Sequence, residues 1–257
     1  MSTHLSRTVQ EVLALSTFMP DDTVNATMTA LVEGVVREVH LPSLDQQTQS
    51  RVRTISATTE TELEKFWATI ISDSKSPQET LVTFPYIDNY RELTRRELAL
   101  TQQSGLTLDT RHRALIIGSG PLPLSALEIH RQSGAAVDHV DSSLQAITLS
   151  SKVSNALEIQ SRHLHGLGQT VTLTDTYDLI LIAALAGETA AEKQAIIDNV
   201  LPHLSSQGRI IVRSAQGSRE LLYPAIAAHE LSRVTLLEEY HPDDYIINSV
   251  FIYEREV

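Results

Sequence analysis

Residues 113–128 read R-A-L-I-I-G-S-G-P-L-P-L-S-A-L-E, and this stretch decides the fold. A short apolar run at 114–117 ends in a glycine turn at 118–121, and a helical pattern starts near Pro123. The pattern predicts a buried parallel strand, a tight turn, and a helix whose N-terminus faces whatever the turn holds.

A second apolar run, residues 136–140, follows about 20 residues later and ends in Asp141. Glycines that let the backbone approach closely, followed by a carboxylate for ribose hydroxyls, are typical of a nucleotide-type cofactor site. Pro123 replaces the third glycine of the dinucleotide fingerprint. This argues against a packed pyrophosphate and suits a cofactor without phosphates, such as S-adenosylmethionine. A purely structural strand-to-helix turn is the alternative.

Composition and charge exclude several functional classes. The 257 residues are enough for two domains, and 42% hydrophobic with 20% charged residues is typical of a globular protein. The formal charge of -12 argues against nucleic acid or an anionic membrane as a partner. Without cysteine there is no disulfide and no thiolate chemistry. No run reaches the ~18 apolar residues of a membrane helix and no signal peptide is seen, so we expect a cytoplasmic protein.

The pattern changes near Ser104-Gly105, which predicts a helical domain at 1–105 and an alternating strand–helix domain at 106–257. In the first domain we predict helices at 21–39 and 59–72 and another that ends near 103. In the second domain the predicted strands are 113–117, 136–141, 178–183, 209–213, 235–239 and 249–253. The predicted helices there are 122–132, 144–160, 190–201 and 219–229. A polar string at 162–166, R-H-L-H-G, is the best candidate for one more strand.

Several strings together match one known family. They are G-S-G-P-L-P-L at 118–124, Y-D-L-I-L-I-A-A-L-A-G at 177–187, F-P-Y-I-D-N-Y at 84–90, M-P-D-D-T-V-N at 19–25, V-R-S-A-Q-G-S-R-E-L-L-Y-P at 212–224 and Y-H-P-D-D-Y-I-I-N-S-V at 240–250. In this order, over most of the chain, they resemble nicotianamine synthases and their bacterial relatives. Those relatives make opine-type metallophores such as staphylopine and pseudopaline.

The resemblance implies an α/β fold, in which a Rossmann-type, class I methyltransferase-like domain carries an N-terminal helical domain. It implies an aminobutanoyltransferase (aminocarboxypropyltransferase): S-adenosylmethionine donates its 3-amino-3-carboxypropyl group to an amine and leaves as methylthioadenosine. The chain length and the compressed region 154–166 favour the bacterial branch, which performs one transfer to the α-amine of L- or D-histidine. The alternative is a nicotianamine or thermo-nicotianamine synthase that uses glutamate or repeated donor units. A homodimer, a downstream opine dehydrogenase and no metal in the enzyme are also implied.

This chemistry requires a base. The acceptor α-amine, with an ordinary pKa of ~7.7–8.0, is largely protonated at neutral pH, and only its neutral form is nucleophilic. The leading candidate is Glu64, one helical turn after Glu60, where the resembling family places a glutamate; Glu60 is the fallback. The resemblance also matches Tyr90 to a tyrosine beside the substrate, with Tyr86 lining the pocket. A solvated glutamate and a packed tyrosine are the plain structural alternatives.

The residues expected to bind the donor lie at the carboxyl ends of three strands. They are Gly118, Ser119, Gly120, Pro121, Asp141, Ser142, Ala183, Ala184 and Leu185. Asp138, three residues before Asp141, is expected to point away from the ribose.

Other side chains are candidates for contacts with the substrates. Arg213, with Arg219 and Tyr223, could clamp a carboxylate, since guanidinium binds it bidentately, and an inter-domain ion pair is the alternative. His165 could touch adenine or the acceptor, with Asp175 as a substitute. The histidines show no metal-ligand spacing.

Two readings from other classes also fit the residues. One is a non-catalytic module that senses S-adenosylmethionine, and the other is a plain methyltransferase. The thio-nucleoside that accumulates separates the transferases, because a methyltransferase releases S-adenosylhomocysteine instead of methylthioadenosine.

Overall fold

The computed structural model describes residues 4–38 and 40–256. Within these residues, helices form the chain up to Gln103 and a sheet begins at Arg113. The helices of the first part are α1 (His4–Leu13), α2 (Asp22–Arg37), α3 (Gln46–Asp73), α4 (Pro77–Leu81) and α5 (Ile87–Gln103). Val39, the predicted end of the second helix, lies outside the described residues.

The long helix α3 begins at Gln46, whereas the sequence pattern predicted a start at 59. Asp45 caps it by accepting a hydrogen bond from the backbone N–H of Thr48 at 2.9 Å. Its first half is rich in serine and threonine, which favour turns when their hydroxyls compete with the backbone. Here those hydroxyls donate to carbonyls of the helix itself, as Ser56 does to Val52 at 2.9 Å. The helix therefore includes residues 46–58, for which the sequence analysis predicted no element.

A seven-stranded sheet forms the second part of the described chain, in the order β3-β2-β1-β4-β5-β7-β6. Its strands are β1 (Arg113–Ile117), β2 (Ala136–Asp141), β3 (His163–His165), β4 (Tyr177–Ile182), β5 (Leu204–Ser214), β6 (Val234–Tyr240) and β7 (Ser249–Arg255). The first five are parallel, and β7 pairs antiparallel with β5 and β6. The connecting helices are α6 (Leu124–Ser133), α7 (Leu144–Ala156) and α8 (Ala190–Val200). This arrangement confirms the predicted Rossmann-like α/β sheet.

The predicted helix at 219–229 is wrong. Two short 3₁₀ turns, Gly217–Leu221 and Ala228–Glu230, stand in its place. Pro224 lies between them, and a proline supplies no N–H and disfavours helical geometry at the residue before it. The polar string at 162–166 does form a strand, β3, although only three residues long.

The two parts share a hydrophobic core. Leu222 and Ile247, from the C-terminal half, pack in one cluster with Leu5 and Leu31 of the first helices. We therefore retain 1–105 and 106–257 as proposed domains, with a common core between them. Among the described helices, none combines the length and the apolar character needed to cross a bilayer.

A buried ion pair adds to this contact. Glu97 of α5 is fully buried and accepts two hydrogen bonds from Arg213 of β5, Nε to Oε1 at 2.6 Å and Nη2 to Oε2 at 2.9 Å. The bidentate geometry satisfies both charges inside the protein. The ion pair fixes α5 over the carboxyl ends of the parallel strands.

Replacing Glu97 with alanine leaves the guanidinium of Arg213 buried without its partner. We expect the free energy of unfolding to fall by about 3–5 kcal/mol. Glu33→Ala, which removes the exposed partner of Arg37, is the control and should cost less than about 1 kcal/mol. Urea denaturation followed by circular dichroism measures both. Equal losses in the two variants would contradict the structural role of the buried pair.

Candidate active site

A cleft of about 730 Å³ lies at the carboxyl ends of the parallel strands. The turn after β1, the end of β2 and the segment after β4 form one side, and α3 and α5 contribute the other. All nine residues predicted to bind the donor line it: Gly118, Ser119, Gly120, Pro121, Asp141, Ser142, Ala183, Ala184 and Leu185. The structure thus brings the predicted donor residues together in one cleft.

The turn after β1 requires its glycines. Gly118 and Gly120 have φ angles of 80° and 72°, in the left-handed region. A Cβ on Gly120 would lie 2.4 Å from Oε2 of Glu64, so the turn and α3 approach as closely as a bare backbone allows. Asp141 holds the turn by accepting the N–H of Gly120 at 2.9 Å, and its other oxygen accepts the N–H of Ser143. A carboxylate has further lone pairs, which leaves Asp141 able to accept ribose hydroxyls.

Lys193 of α8 fixes the segment that follows β4. Its side chain is fully buried, and Nζ donates to the carbonyls of Ala183, Ala184 and Ala186 at 2.7–3.0 Å. Burial lowers the pKa of Lys193 to about 7. The three donors of the ammonium match three carbonyls, so this wall of the cleft is held by one side chain.

Two glutamates of α3, Glu60 and Glu64, lie one turn apart and line the cleft from the helical side. The carboxyl of Glu64 lies next to the glycine turn, against Gly120. Glu60 accepts the hydroxyl of Tyr223 at 3.0 and 3.1 Å and that of Tyr90 at 3.4 Å. Glu60 and the two tyrosines therefore form one hydrogen-bonded group at the junction of α3 with the cleft, and Glu64 lies beside this group.

Burial dominates the electrostatics of this group. The two carboxyls touch the solvent of the cleft, yet they lie deep between helices and sheet, where charge is poorly solvated. Burial raises the pKa of Glu64 well above its ordinary value, and the charges of Glu60 and Asp141 raise it further. Burial also raises the pKa of Glu60, and the hydrogen bonds from Tyr223 and Tyr90 offset part of that rise. Both carboxyls therefore keep a proton to higher pH than an exposed glutamate does, and the pKa of Glu64 is the one raised well above its ordinary value.

A smaller chamber of about 130 Å³ lies on the helical side of the same carboxyls. Of the residues that the structure describes, five line both cavities: Glu60, Glu64, Tyr90, Tyr223 and Asn248. Most of the remaining wall is apolar, with Val24, Met28, Val32, Leu63, Phe84, Leu93, Leu222 and Ile247, and Tyr86 lies here as well. None of the described residues that line the chamber is a lysine, arginine or histidine.

Comparison with known proteins identifies the family. The family model described as "Nicotianamine synthase protein" matches residues 3–257. The chain belongs to the nicotianamine synthase family. Nicotianamine synthase 9 of Hordeum vulgare is 30% identical over 263 residues, which cover 97% of this chain and 76% of the relative. Nicotianamine synthase of Solanum lycopersicum is 28% identical over 254 residues, covering 95% and 80%.

Solved structures agree with this assignment of the fold. The crystal structure of MtNAS in complex with MTA and tNA superposes with a TM-score of 0.79 at 21% identity, covering 98% of this chain and 97% of that one. The N-methyltransferase NodS from Bradyrhizobium japonicum, in complex with S-adenosyl-L-homocysteine, superposes with a TM-score of 0.50 at 16% identity, covering 75% and 98%. The predicted class I methyltransferase-like fold is confirmed.

In this member of the nicotianamine synthase family, Arg213 forms the inter-domain ion pair that the sequence left as one of two alternatives. It also lines the large cleft, and no hydrogen bond from its Nη1 to the described residues is seen. Contact with a substrate carboxylate therefore stays a prediction for Arg213. Arg219 lines neither cavity, because its guanidinium donates to the carbonyls of Asp244 and Ile246.

His165 is exposed, and its Nε2 lies 3.0 Å from the carbonyl of Ser142, outside the lining of the cleft. Its contact with adenine or acceptor stays a prediction. The prediction that Asp175 could replace His165 in the contact with adenine is wrong, because Asp175 pairs with Arg162 at the amino ends of the strands, away from the cleft. Asp138 joins the same network there and points away from the cleft, as expected.

Three residues of this site were missed by the sequence analysis: Glu97, Lys193 and Asn248. The available signal for Lys193 was its position just before the apolar residues of the string K-Q-A-I-I. The burial of Glu97 depends on Arg213, 116 positions away, and carries no local signal. Among residues 4–38 and 40–256, no cluster of three or more histidine, aspartate or glutamate side chains is arranged to hold a metal ion.

Replacing Lys193 with methionine keeps the length of the side chain but leaves three carbonyls without a donor. We expect a loss of unfolding free energy of about 3 kcal/mol or more, at ~1–3 kcal/mol for each unpaired group. We also expect faster amide exchange in residues 183–187, measured by mass spectrometry. Lys152→Met, on the exposed face of α7, is the control. Unchanged exchange in the Lys193 variant would refute its role in holding the segment.

Proposed function

We propose that this protein is an S-adenosylmethionine-dependent 2-aminobutanoyltransferase, which transfers the 3-amino-3-carboxypropyl group to the α-amine of histidine and releases methylthioadenosine. The product would be an intermediate of an opine-type metallophore. The observation that carries the proposal is the junction of two cavities at Glu60 and Glu64. Family membership supports it, as do structures of MtNAS with MTA and tNA and of a glutamate-to-glutamine MtNAS mutant with S-adenosylmethionine.

The large cleft suits the donor. Asp141 lines this cleft and would accept the ribose hydroxyls, and the glycine turn allows close approach of the backbone. The hydroxyl of Ser119 is buried in the lining and has no hydrogen-bond partner in the described part of the chain, which suits a polar group of the ligand. The carboxyls of Glu60, Glu64 and Asp141 favour a cation, and the donor is a sulfonium.

The chamber suits the acceptor, with its α-amine at the junction beside Glu64. The amine lone pair forms a bond to the methylene next to sulfur. The carbon–sulfur bond breaks, and its electron pair stays on sulfur as a neutral thioether. The amine proton passes to Glu64, whose raised pKa brings it closer to neutral pH, where a general base is most effective. Glu60 is the fallback for the base, and Tyr90 orients the group through its hydroxyl.

The lining of the chamber favours histidine over glutamate. A side-chain carboxylate would enter an apolar space beside two glutamates, where the described lining residues include no cation to offset its desolvation. An imidazole ring carries no negative charge and does not face that cost. The comparisons support the alternative equally: a nicotianamine or thermo-nicotianamine synthase, which uses glutamate or repeated donor units. A homodimer, a cytoplasmic location and an opine dehydrogenase that consumes the product remain parts of the proposal.

The test is incubation with S-adenosylmethionine and, in turn, L-histidine, D-histidine and glutamate, with both products identified by mass. We expect methylthioadenosine and a single-transfer adduct of one histidine enantiomer. Repeated transfer, or an adduct of glutamate, would establish the alternative. S-adenosylhomocysteine would show a methyltransferase, and donor binding without release of any thio-nucleoside would show a sensor.

Glu64→Gln removes the proposed base while preserving the shape of the side chain. We expect turnover to fall by ~10²–10⁴-fold, the usual contribution of general-base catalysis, in a variant that still binds the donor. Single-turnover kinetics and calorimetry measure the two quantities. Glu62→Gln, on the same helix but paired with Lys65, is the control. A wild-type rate in the Glu64 variant would transfer the role of base to Glu60.

Glu60→Gln tests the coupling between the two carboxyls. The negative charge of Glu60 raises the pKa of Glu64, so its removal should lower that pKa. The base is then ionised at lower pH, and the acidic limb of the profile of kcat against pH should move to lower pH. Steady-state rates across the acidic range measure the shift. A limb that stays in place or moves upward would be inconsistent with the coupled pair.

A further inference from the structure

The side-chain amide of Asn248 lies at the junction of the cleft and the chamber. It is only 7% exposed and lines both cavities. Its Nδ2 is buried and has no hydrogen-bond partner among residues 4–38 and 40–256. A buried amide without a partner costs free energy, and that cost is removed when a ligand accepts the hydrogen bond.

The hydroxyls around the chamber are already used as donors. Ser56 and Thr59 donate to carbonyls of α3 itself. Tyr90 and Tyr223 both donate to Glu60. Because these donors are engaged inside the protein, none of them is free to meet an acidic group of a ligand without breaking an existing bond.

The other amides around the chamber differ from Asn248 in the same respect. Asn89 donates to the carbonyl of Tyr245 at 3.3 Å, and Asn25 is exposed to solvent. With no cationic side chain in the lining, Asn248 is the buried donor that the described part of the chamber leaves for a ligand.

The backbone that carries Asn248 is held in place from two sides. Arg96 of α5 binds Asp244 through Nη1 at 3.1 Å and Nη2 at 2.5 Å. Arg219 donates to the carbonyls of Asp244 and Ile246, at 2.7 and 3.2 Å. Asn248 follows this loop and directly precedes β7. The backbone that presents the amide is thus held by side chains of α5 and of the segment after β5.

We propose that the amide of Asn248 donates to the α-carboxylate of the acceptor amino acid and so sets the amine beside Glu64. This rests on the proposed function. Every amino-acid acceptor brings an α-carboxylate to the junction, and the carboxylate requires a donor there. Arg213 lines only the large cleft, where the carboxylate of S-adenosylmethionine has to be accommodated. A neutral amide binds the second carboxylate without placing a further charge next to the two glutamates.

The test compares two acceptors that differ only in the carboxylate: the histidine enantiomer used by the wild type, and histamine. Release of methylthioadenosine gives kcat and KM for each. We expect Asn248→Ala to lower kcat/KM for histidine by about 10- to 100-fold, mainly through KM. The kcat/KM for histamine and the KM for S-adenosylmethionine should both stay within about twofold of the wild-type values. Asn155→Ala, an exposed change on α7, is the control.

Asn248→Asp is the second variant, of nearly the same size, in which the donor becomes a carboxylate. It should lose more activity than Asn248→Ala with histidine, because the added charge repels the α-carboxylate, and it should lose less with histamine, which has no carboxylate. Equal losses with both acceptors, a changed KM for S-adenosylmethionine, or unaltered kinetics would each overturn the assignment. If the wild type released no methylthioadenosine with either acceptor, the proposed function would fail as well. Turnover by the wild type with equal losses in the variants would overturn the role of Asn248 alone.

Discussion

The buried ion pair between Glu97 and Arg213 is the contact on which the site depends. It joins α5 to β5 and thereby sets the helical layer over the carboxyl ends of the strands. A lone charge at that depth would be expensive, so each partner requires the other. The pair also places a guanidinium close enough to Glu60 to offset part of the cost of burying that carboxyl. The position of α5 and the pKa of Glu60 therefore both depend on this ion pair.

The site combines a cationic donor with carboxyls that resist ionisation. Burial favours the neutral forms of Glu60 and Glu64, whereas a sulfonium beside them favours the charged forms. We expect donor binding to release a proton and so to prepare the base only when a substrate is present. Transfer then converts the sulfonium into a neutral thioether, which removes the charge that held the donor in the acidic cleft. The same electrostatics would serve binding, activation and release of the product.

The features that could be predicted are those determined by residues close together in the sequence. The glycine turn and Asp141 follow from a strand, a turn and a carboxylate at fixed spacing, and the structure places them in one cleft. The start of α3 was misjudged because its hydroxyls donate within the helix, which composition alone does not reveal. The predicted helix at 219–229 overlooked Pro224. The roles of Glu97 and Asn248 depend on partners and cavities assembled from distant parts of the chain, for which the sequence offered no local signal.

The central claim is that the donor turns its aminocarboxypropyl arm, and not its methyl group, toward the junction of the two cavities. A crystal structure of the Glu64→Gln variant with S-adenosylmethionine and histidine tests it most directly. The account predicts the methylene carbon next to sulfur at about 3–3.5 Å from the acceptor nitrogen, in line with the bond to sulfur, and the methyl group turned away. A methyl group facing that nitrogen, or a cleft without the donor at saturating concentration, would contradict it.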